Sequence, residues 1–249
     1  MLAAERQREI LKFISQTKTA AVEELAAKFG VSAMTIRRDL DKLKYSGKVE
    51  RCHGGVVVRG EVDLLEKSIR NQWEKGLIAK KCLELINEHQ TIFLDSGSTV
   101  YEIAKLICDR EDLTIVTNDL KTASLLWSGN VMLMVCGGLV QRSTGSVIGP
   151  FAEEMIHHIR FDLSFMGAAC IDENMDVLTP TVEKAFFKRE VMKKATQNYL
   201  VVDGEKFGKR SLIQVCELGQ YTGIITEKIF TQEEKKEFEK RQIKIIQAR

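Results

Sequence analysis

Two clusters of residues have the types and spacing to do chemistry. The first lies in S-A-M-T-I-R-R-D-L, residues 32–40. If this stretch is helical, residues advance by about 100° each, so Met34, Thr35, Arg37 and Arg38 share the face away from Ile36. An arginine guanidinium can fork onto O6 and N7 of guanine, and a threonine can contact a thymine methyl or a phosphate. Arg51, His53, Gly54 and Gly55 follow, with side chains and bare backbone suited to a DNA backbone or minor groove. The plainer reading is a solvated basic face on a protein-docking module.

The second cluster is scattered along residues 95–206. Asp95-Ser96-Gly97-Ser98-Thr99 stands between an apolar stretch and a helical one. Hydroxyls and a glycine there suit an anion, because the N–H groups at a helix N-terminus point outward and the helix dipole favours negative charge. Thr117-Asn118-Asp119 and Gly137-Gly138 also follow apolar stretches. Asp203 and Lys206 come after a fourth, and the lysine could neutralise a phosphate or meet a sugar hydroxyl. Glu183 and Lys184 open a later helical stretch and are candidates for the same cleft. The plainer readings are a capped helix for 95–99, a surface turn for Lys206, and helix-dipole stabilisation for Glu183, which is preferred over a catalytic base.

These residues need elements to position them. Ile10, Leu11 and Ile14 have helical spacing, and Val22, Leu25, Ala26 and Phe29 fall at i, i+3, i+4, i+7. Gly30 suits the left-handed residue that ends a helix. Ser32 suits the N-cap of the next, about 33–45, whose inner stripe is Ile36, Leu40 and Leu43. Two short helices joined by a glycine-bearing turn read as a helix-turn-helix. Residues 48–58 read as a hairpin turning at the glycine pair, which makes the module winged.

Residues 59–67 read as a polar linker. A helix is expected over about 68–88 with Ile69, Trp73, Ile78, Cys82, Leu85 and Ile86 inward. Strands are then expected at 91–95, 113–117, 131–136, 163–168, 199–203, 223–226 and 243–246. Helices are expected at 99–109, 119–128, 151–158, 182–197 and 232–240. Such alternation predicts a parallel sheet covered by helices. Ligands collect beyond the carboxyl ends of strands in such sheets, so the loops at 95–99, 117–119 and 137–138 are expected to converge on a phosphate pocket.

The expected organisation is therefore α/β: a winged helix-turn-helix at 1–58, a linker at 59–67, and an effector-binding and oligomerisation domain at 68–249. Charge supports the division. Residues 1–60 hold 12 Lys+Arg against 7 Asp+Glu, and the remainder 25 against 28, although the whole chain is only +2. A basic module that meets phosphate is joined to a mildly acidic one. The six cysteines, at 52, 82, 108, 136, 170 and 216, include no CxxC pair. They read as buried apolar residues in a reducing compartment, with no metal and no cofactor expected. No signal peptide is read, and no apolar run reaches about 18 residues, so no membrane partner and a cytoplasmic location are expected.

V-E-E-L-A-A-K-F-G-V-S-A-M-T-I-R-R-D-L-D-K-L, residues 22–43, and R-C-H-G-G-V, residues 51–56, resemble the DeoR family of bacterial transcription regulators, and the resemblance continues through nearly the whole chain. It implies a C-terminal sensor domain like ribose-5-phosphate isomerase in fold, binding a phosphorylated sugar. The family's D-x-G-S-T corresponds to Asp95–Thr99, its T-N to Thr117-Asn118 and its G-G to Gly137-Gly138. Its D-x-S-K-F-G corresponds to Asp203–Gly208, with Glu205 in place of serine. Cys170 stands in Gly-Ala-Ala-Cys-Ile-Asp, 167–172, where the family often has glycine. Both departures border the expected pocket and bear on ligand choice.

The reading is a DNA-binding regulator, a repressor of a carbohydrate-utilisation operon, bound to double-stranded operator DNA as a homo-oligomer (dimer or tetramer) and controlled by a small phosphorylated metabolite. The alternatives are a sugar-phosphate isomerase carrying a DNA-binding module, separable by turnover of ribose 5-phosphate, and a structural nucleoid protein, separable by footprints at many sites.

Overall fold

A computed structural model describes residues 3–17, 19–45, 49–52, 55–58 and 71–249. The chain divides into two compact units, residues 1–63 and 64–249. The expected linker at 59–67, and His53 and Gly54 of the expected wing, lie outside the described residues.

The first unit contains α1 (Ala3–Thr17), β1 (Thr19–Ala21), α2 (Val22–Phe29), α3 (Ala33–Tyr45), β2 (Val49–Cys52) and β3 (Gly55–Val58). Ile10, Ile14, Leu25, Ile36 and Leu40 are fully buried, with Leu43 almost so, which joins the inner stripes of all three helices in one core. Gly30 ends α2 at φ 64°, ψ 35°, a conformation that costs most side chains strain and glycine little. β3 pairs antiparallel with both β2 and β1, giving a three-stranded wing sheet. The short strand β1 has no counterpart in the sequence reading. Its three residues are too few to show a period.

The second unit opens with α4 (Gln72–Leu83). Ile78, Cys82 and Ile86 are buried as expected, but Trp73 is 75% exposed and the helix stops at Leu83, before the expected 88. The framework strands are β4 (Thr91–Leu94), β5 (Thr114–Thr117), β6 (Met132–Val135), β9 (Phe161–Met166), β12 (Ala195–Val201), β14 (Gly223–Thr226) and β15 (Ile245–Gln247). They form one parallel sheet in the order β15-β14-β12-β9-β4-β5-β6. Helices α5 (Ser98–Ile107), α6 (Leu120–Leu126), α7 (Pro150–His157), α8 (Val182–Lys194) and α9 (Gln232–Lys240) connect them. Two apolar clusters, one containing Ile78, Ile92, Leu94 and Ile103 and the other Phe93, Phe161, Phe187 and Val191, hold alternate residues of β4. A sheet buried on both faces explains why its central strands are nearly continuous apolar runs.

The helix expected to reach 197 ends at Lys194, and β12 begins at Ala195 opposite Phe161. Pairing with β9 overrides the helical tendency of Ala-Thr-Gln. Two further elements were not foreseen. One is the hairpin β7 (Leu139–Gln141) and β8 (Ser146–Ile148). The other is a small antiparallel sheet of β10 (Cys170–Ile171), β11 (Asp176–Thr179) and β13 (Ile213–Glu217).

Candidate functional site

The path of the chain sets the site. From β4 it runs outward through β5 to β6, then returns to the other side of β4 as β9 and continues through β12, β14 and β15. The order reverses between β4 and β9, which is where an open α/β sheet is expected to form a crevice, at the carboxyl ends of those strands. Asp95–Ser98, Asn118-Asp119, Gly137-Gly138, Gly167 and Asp203 all follow strands of this parallel sheet and lie at that same end.

At the reversal, Asp95 is 1% exposed. Its Oδ2 accepts the Gly167 N–H at 2.9 Å and a close contact from Lys188 Nζ, which also donates to Gly167 O at 2.9 Å. Beside it runs a chain of polar groups. Lys184 Nζ donates to Thr144 Oγ1 at 3.2 Å, Thr144 and Ser146 share a hydroxyl hydrogen bond at 2.8 Å, and Ser146 Oγ donates to Ser96 Oγ at 2.8 Å. Helix α5 starts here with Gly97 at its N-cap, which offers no side-chain cap to the N–H groups of the first turn; Ser98 is half-buried and Thr99 buried. α6 and α8 differ: Asp119 caps the first and Thr181 the second.

Other expected residues have structural work. Thr117 Oγ1 donates to Leu94 O at 2.7 Å and so ties β5 to β4. Asp119 accepts from Thr122 Oγ1 at 2.7 Å and from the N–H groups of Lys121 and Thr122; burial pushes its carboxyl up from the usual range. Asn118 Nδ2 donates to Val147 O at 3.3 Å, while its buried Oδ1 has no hydrogen-bond partner among the described residues. Gly138 has φ 143°, and a Cβ there would sit 2.6 Å from Ile148 O. Glu183 is exposed on the first turn of α8.

Asp203 and Lys206 form a separate group. Asp203 is buried and accepts the Glu205 N–H at 3.2 Å. Lys75 of α4 is 3% exposed and feels both. Burial lowers its pKa, the nearby Asp203 carboxylate opposes that shift, and the like charge of Lys206 adds to it.

Sequence reasoning missed Lys75, Lys188, Thr144 and Ser146. Lys188 had a signal: it lies four residues after Lys184, so both share a helix face, and that face also carries the buried Val191. Thr144 and Ser146 lay in the unforeseen hairpin.

In the first unit, Ser32 caps α3. Its Oγ accepts the Thr35 N–H at 3.2 Å and lies 3.0 Å from Thr35 Oγ1. Met34, Arg37 and Arg38 are exposed and Thr35 is half-buried, opposite buried Ile36 and Leu40. Arg37 makes a loose pair with Glu23 at 3.9 Å, which leaves its guanidinium available. Buried Asp39 accepts from Arg6 Nε at 2.7 Å and Gln7 Nε2 at 2.8 Å, fastening α1 to α3. Arg51 lies in β2 and Gly55 in β3.

A winged helix-turn-helix in the same chain as a parallel α/β unit with a buried polar cluster at the carboxyl ends of its strands defines the class of transcription regulators that pair a DNA-reading module with a sensor. The chain belongs to the DeoR family: residues 6–61 match the DeoR-like helix-turn-helix domain and residues 70–228 the DeoR C terminal sensor domain. It is 32% identical to the HTH-type transcriptional regulator GlpR of Haloferax volcanii, over 99% of this chain and 98% of that protein. It is 34% identical to the L-fucose operon activator of Haemophilus influenzae, over 90% and 91%. It is 29% identical to the lactose phosphotransferase system repressor of Staphylococcus aureus, over 97% and 98%. In fold, ribose 5-phosphate isomerase A of Methanocaldococcus jannaschii aligns at TM-score 0.42 and 16% identity, covering 56% of each chain. That likeness says nothing of activity.

Proposed function

We propose that this regulator represses a carbohydrate-utilisation operon in the cytoplasm, and that a phosphorylated sugar in the β4–β9 crevice sets its affinity for operator DNA. The observation that carries the reading is the uncapped start of α5 beside the Ser96–Ser146–Thr144–Lys184 chain. A phosphate dianion would accept from the first-turn N–H groups and hydroxyls and sit near a buried ammonium. Asn118 and Gly137 extend the proposed wall, and the buried Asn118 Oδ1 would take a donor from a sugar hydroxyl. In this reading Met34, Thr35, Arg37 and Arg38 meet base edges, with Arg51, His53, Gly54 and Gly55 on the backbone or minor groove. Half-sites are read by a homo-oligomer, a dimer or tetramer.

The same geometry favours binding over turnover. Two of the carboxylates beside the proposed site already have structural partners: Asp95 is held by Lys188 and Gly167, and Asp119 caps α6. A thermal-shift screen of sugar phosphates, followed by operator gel shifts with each hit, tests the reading. A ligand at 100 times its Kd should add about 2.7 kcal/mol of stability. No stabilising sugar phosphate, or hits that leave DNA binding unchanged, would overturn it.

A further inference from the structure

β6 is the edge of the parallel sheet, hydrogen-bonded to β5 alone among the described strands, and it is bare. Its residues Met132, Met134 and Val135 are 66%, 37% and 39% exposed. The opposite edge, β15, is half-buried throughout. The β7–β8 hairpin follows β6 immediately and adds Leu139 and Val140, and Trp127 precedes β6 at the end of α6, a helix packed on that strand. Leu139 approaches Gly149, the residue before Pro150-Phe151, and Phe151 is exposed as well. Natural proteins blunt a sheet edge with charge, proline or a covering element, because its open N–H and C=O groups template pairing. Here the edge is apolar, and among the described residues no further strand pairs with it.

We infer that this edge is a self-association surface, covered by the same edge of a second copy about a twofold axis. Charge selects that occupant. Residues 131–140, Val-Met-Leu-Met-Val-Cys-Gly-Gly-Leu-Val, contain no charged side chain. In a twofold interface each surface meets its own copy, so a patch rich in one sign would repel itself, and this one cannot. A heterologous partner would be steered by complementary charge, and the patch offers none to read. Area agrees. Trp127 and Phe151, aromatics that bury about 150–250 Å² each, are 83% and 78% exposed, and Leu139, Met132, Val140 and the remainder of β6 add to them, on the scale of the roughly 800 Å² buried per partner in a standard interface.

The surface also reaches the proposed effector crevice. β8 begins with Ser146, whose hydroxyl donates to Ser96, and the hairpin turn carries Thr144, which accepts from Lys184. A ligand that displaces these contacts shifts the hairpin that bears Leu139 and Val140. This second step rests on the crevice being the effector site; the self-association itself does not.

The test is light scattering and sedimentation velocity on the full chain, comparing wild type with Met132→Lys/Leu139→Lys. The expected result is a twofold drop in particle mass. Leu212→Lys, at a 78% exposed apolar position outside this edge, is expected to keep the wild-type mass. If the double lysine variant fails to fold by circular dichroism, Met132→Gln/Leu139→Gln is expected to raise the self-association Kd at least tenfold. A monomeric wild type, or an edge variant that retains its mass, overturns the inference. Either result leaves the effector reading standing, because sugar-phosphate binding is measured separately by calorimetry. Loss of ligand binding with oligomerisation intact would overturn that reading and leave the edge in place.

Discussion

Lys188 and Asp95, 93 residues apart in sequence, form a buried ion pair across the point where the strand order of the sheet reverses. One comes from the middle of α8 and the other from the end of β4, and Gly167 after β9 holds both partners. The cluster at the strand reversal is thus a fixed constellation set by three elements. Removing one member of a buried pair strands the other charge, which costs about 3–5 kcal/mol. Lys188→Met is expected to lower stability by that amount in urea titration, and a loss under 1 kcal/mol would show that Asp95 finds another partner.

Arg38 lies opposite the stripe of Ile36, Leu40 and Leu43 and is exposed. Arg38→Ala should weaken operator binding by about 1–3 kcal/mol and relax preference at one base pair. Gel-shift titration against operator variants at fixed salt measures both. Equal loss on every sequence would reduce Arg38 to a phosphate contact.

Gly138 is held at φ 143° with its α-carbon facing Ile148 O. Gly138→Ala forces both a strained backbone and a 2.6 Å approach to a carbonyl. A destabilisation of about 1–3 kcal/mol is expected, measured as a shift in the urea midpoint. The fully open Gly137 serves as the control, where alanine should cost less.

Lys75 carries a pH prediction. Its folded pKa is lowered by burial, so between that value and 10.5 the unfolded chain binds more protons than the native one. Stability contributed at this site therefore rises with pH across that window and is at its least below it. Wild type and Lys75→Met, unfolded in urea at pH 8, 9 and 10, should differ by an amount that changes in this direction. The comparison cancels the buried Cys82, Cys136 and Tyr221, whose raised pKa values act oppositely and equally in both proteins. A pH-independent difference would contradict the assignment.

The first unit was legible because its helices carry strong apolar periods and sharp caps. Val22–Phe29 begins and ends where the pattern says, and Ser32 caps as its position implies. The central strands were legible for a related reason: Ile92-Phe93-Leu94 is buried on both sides. What escaped was set by distant partners. Lys188 makes sense only once Asp95 is beside it, and Lys75 only beside Asp203. Met132–Val135 reads as an apolar strand in sequence and is an exposed edge, since no local pattern says where a sheet ends. Trp73 misled in the same way, as a large apolar residue that tertiary packing leaves outside.

The central claim is that a ligand in the β4–β9 crevice controls DNA binding, and linkage tests it most directly. The leading sugar phosphate from the screen would be titrated calorimetrically into wild type and Ser98→Ala/Lys184→Met, each with and without operator DNA. Hydrogen bonds to a charged group are worth about 1.5–3 kcal/mol each, so the variant should lose at least tenfold in ligand affinity. In wild type, operator should change ligand affinity by the same factor by which ligand changes operator affinity. Unchanged ligand affinity in the variant would contradict the pocket, and a wild-type ligand affinity indifferent to operator would contradict the control of DNA binding.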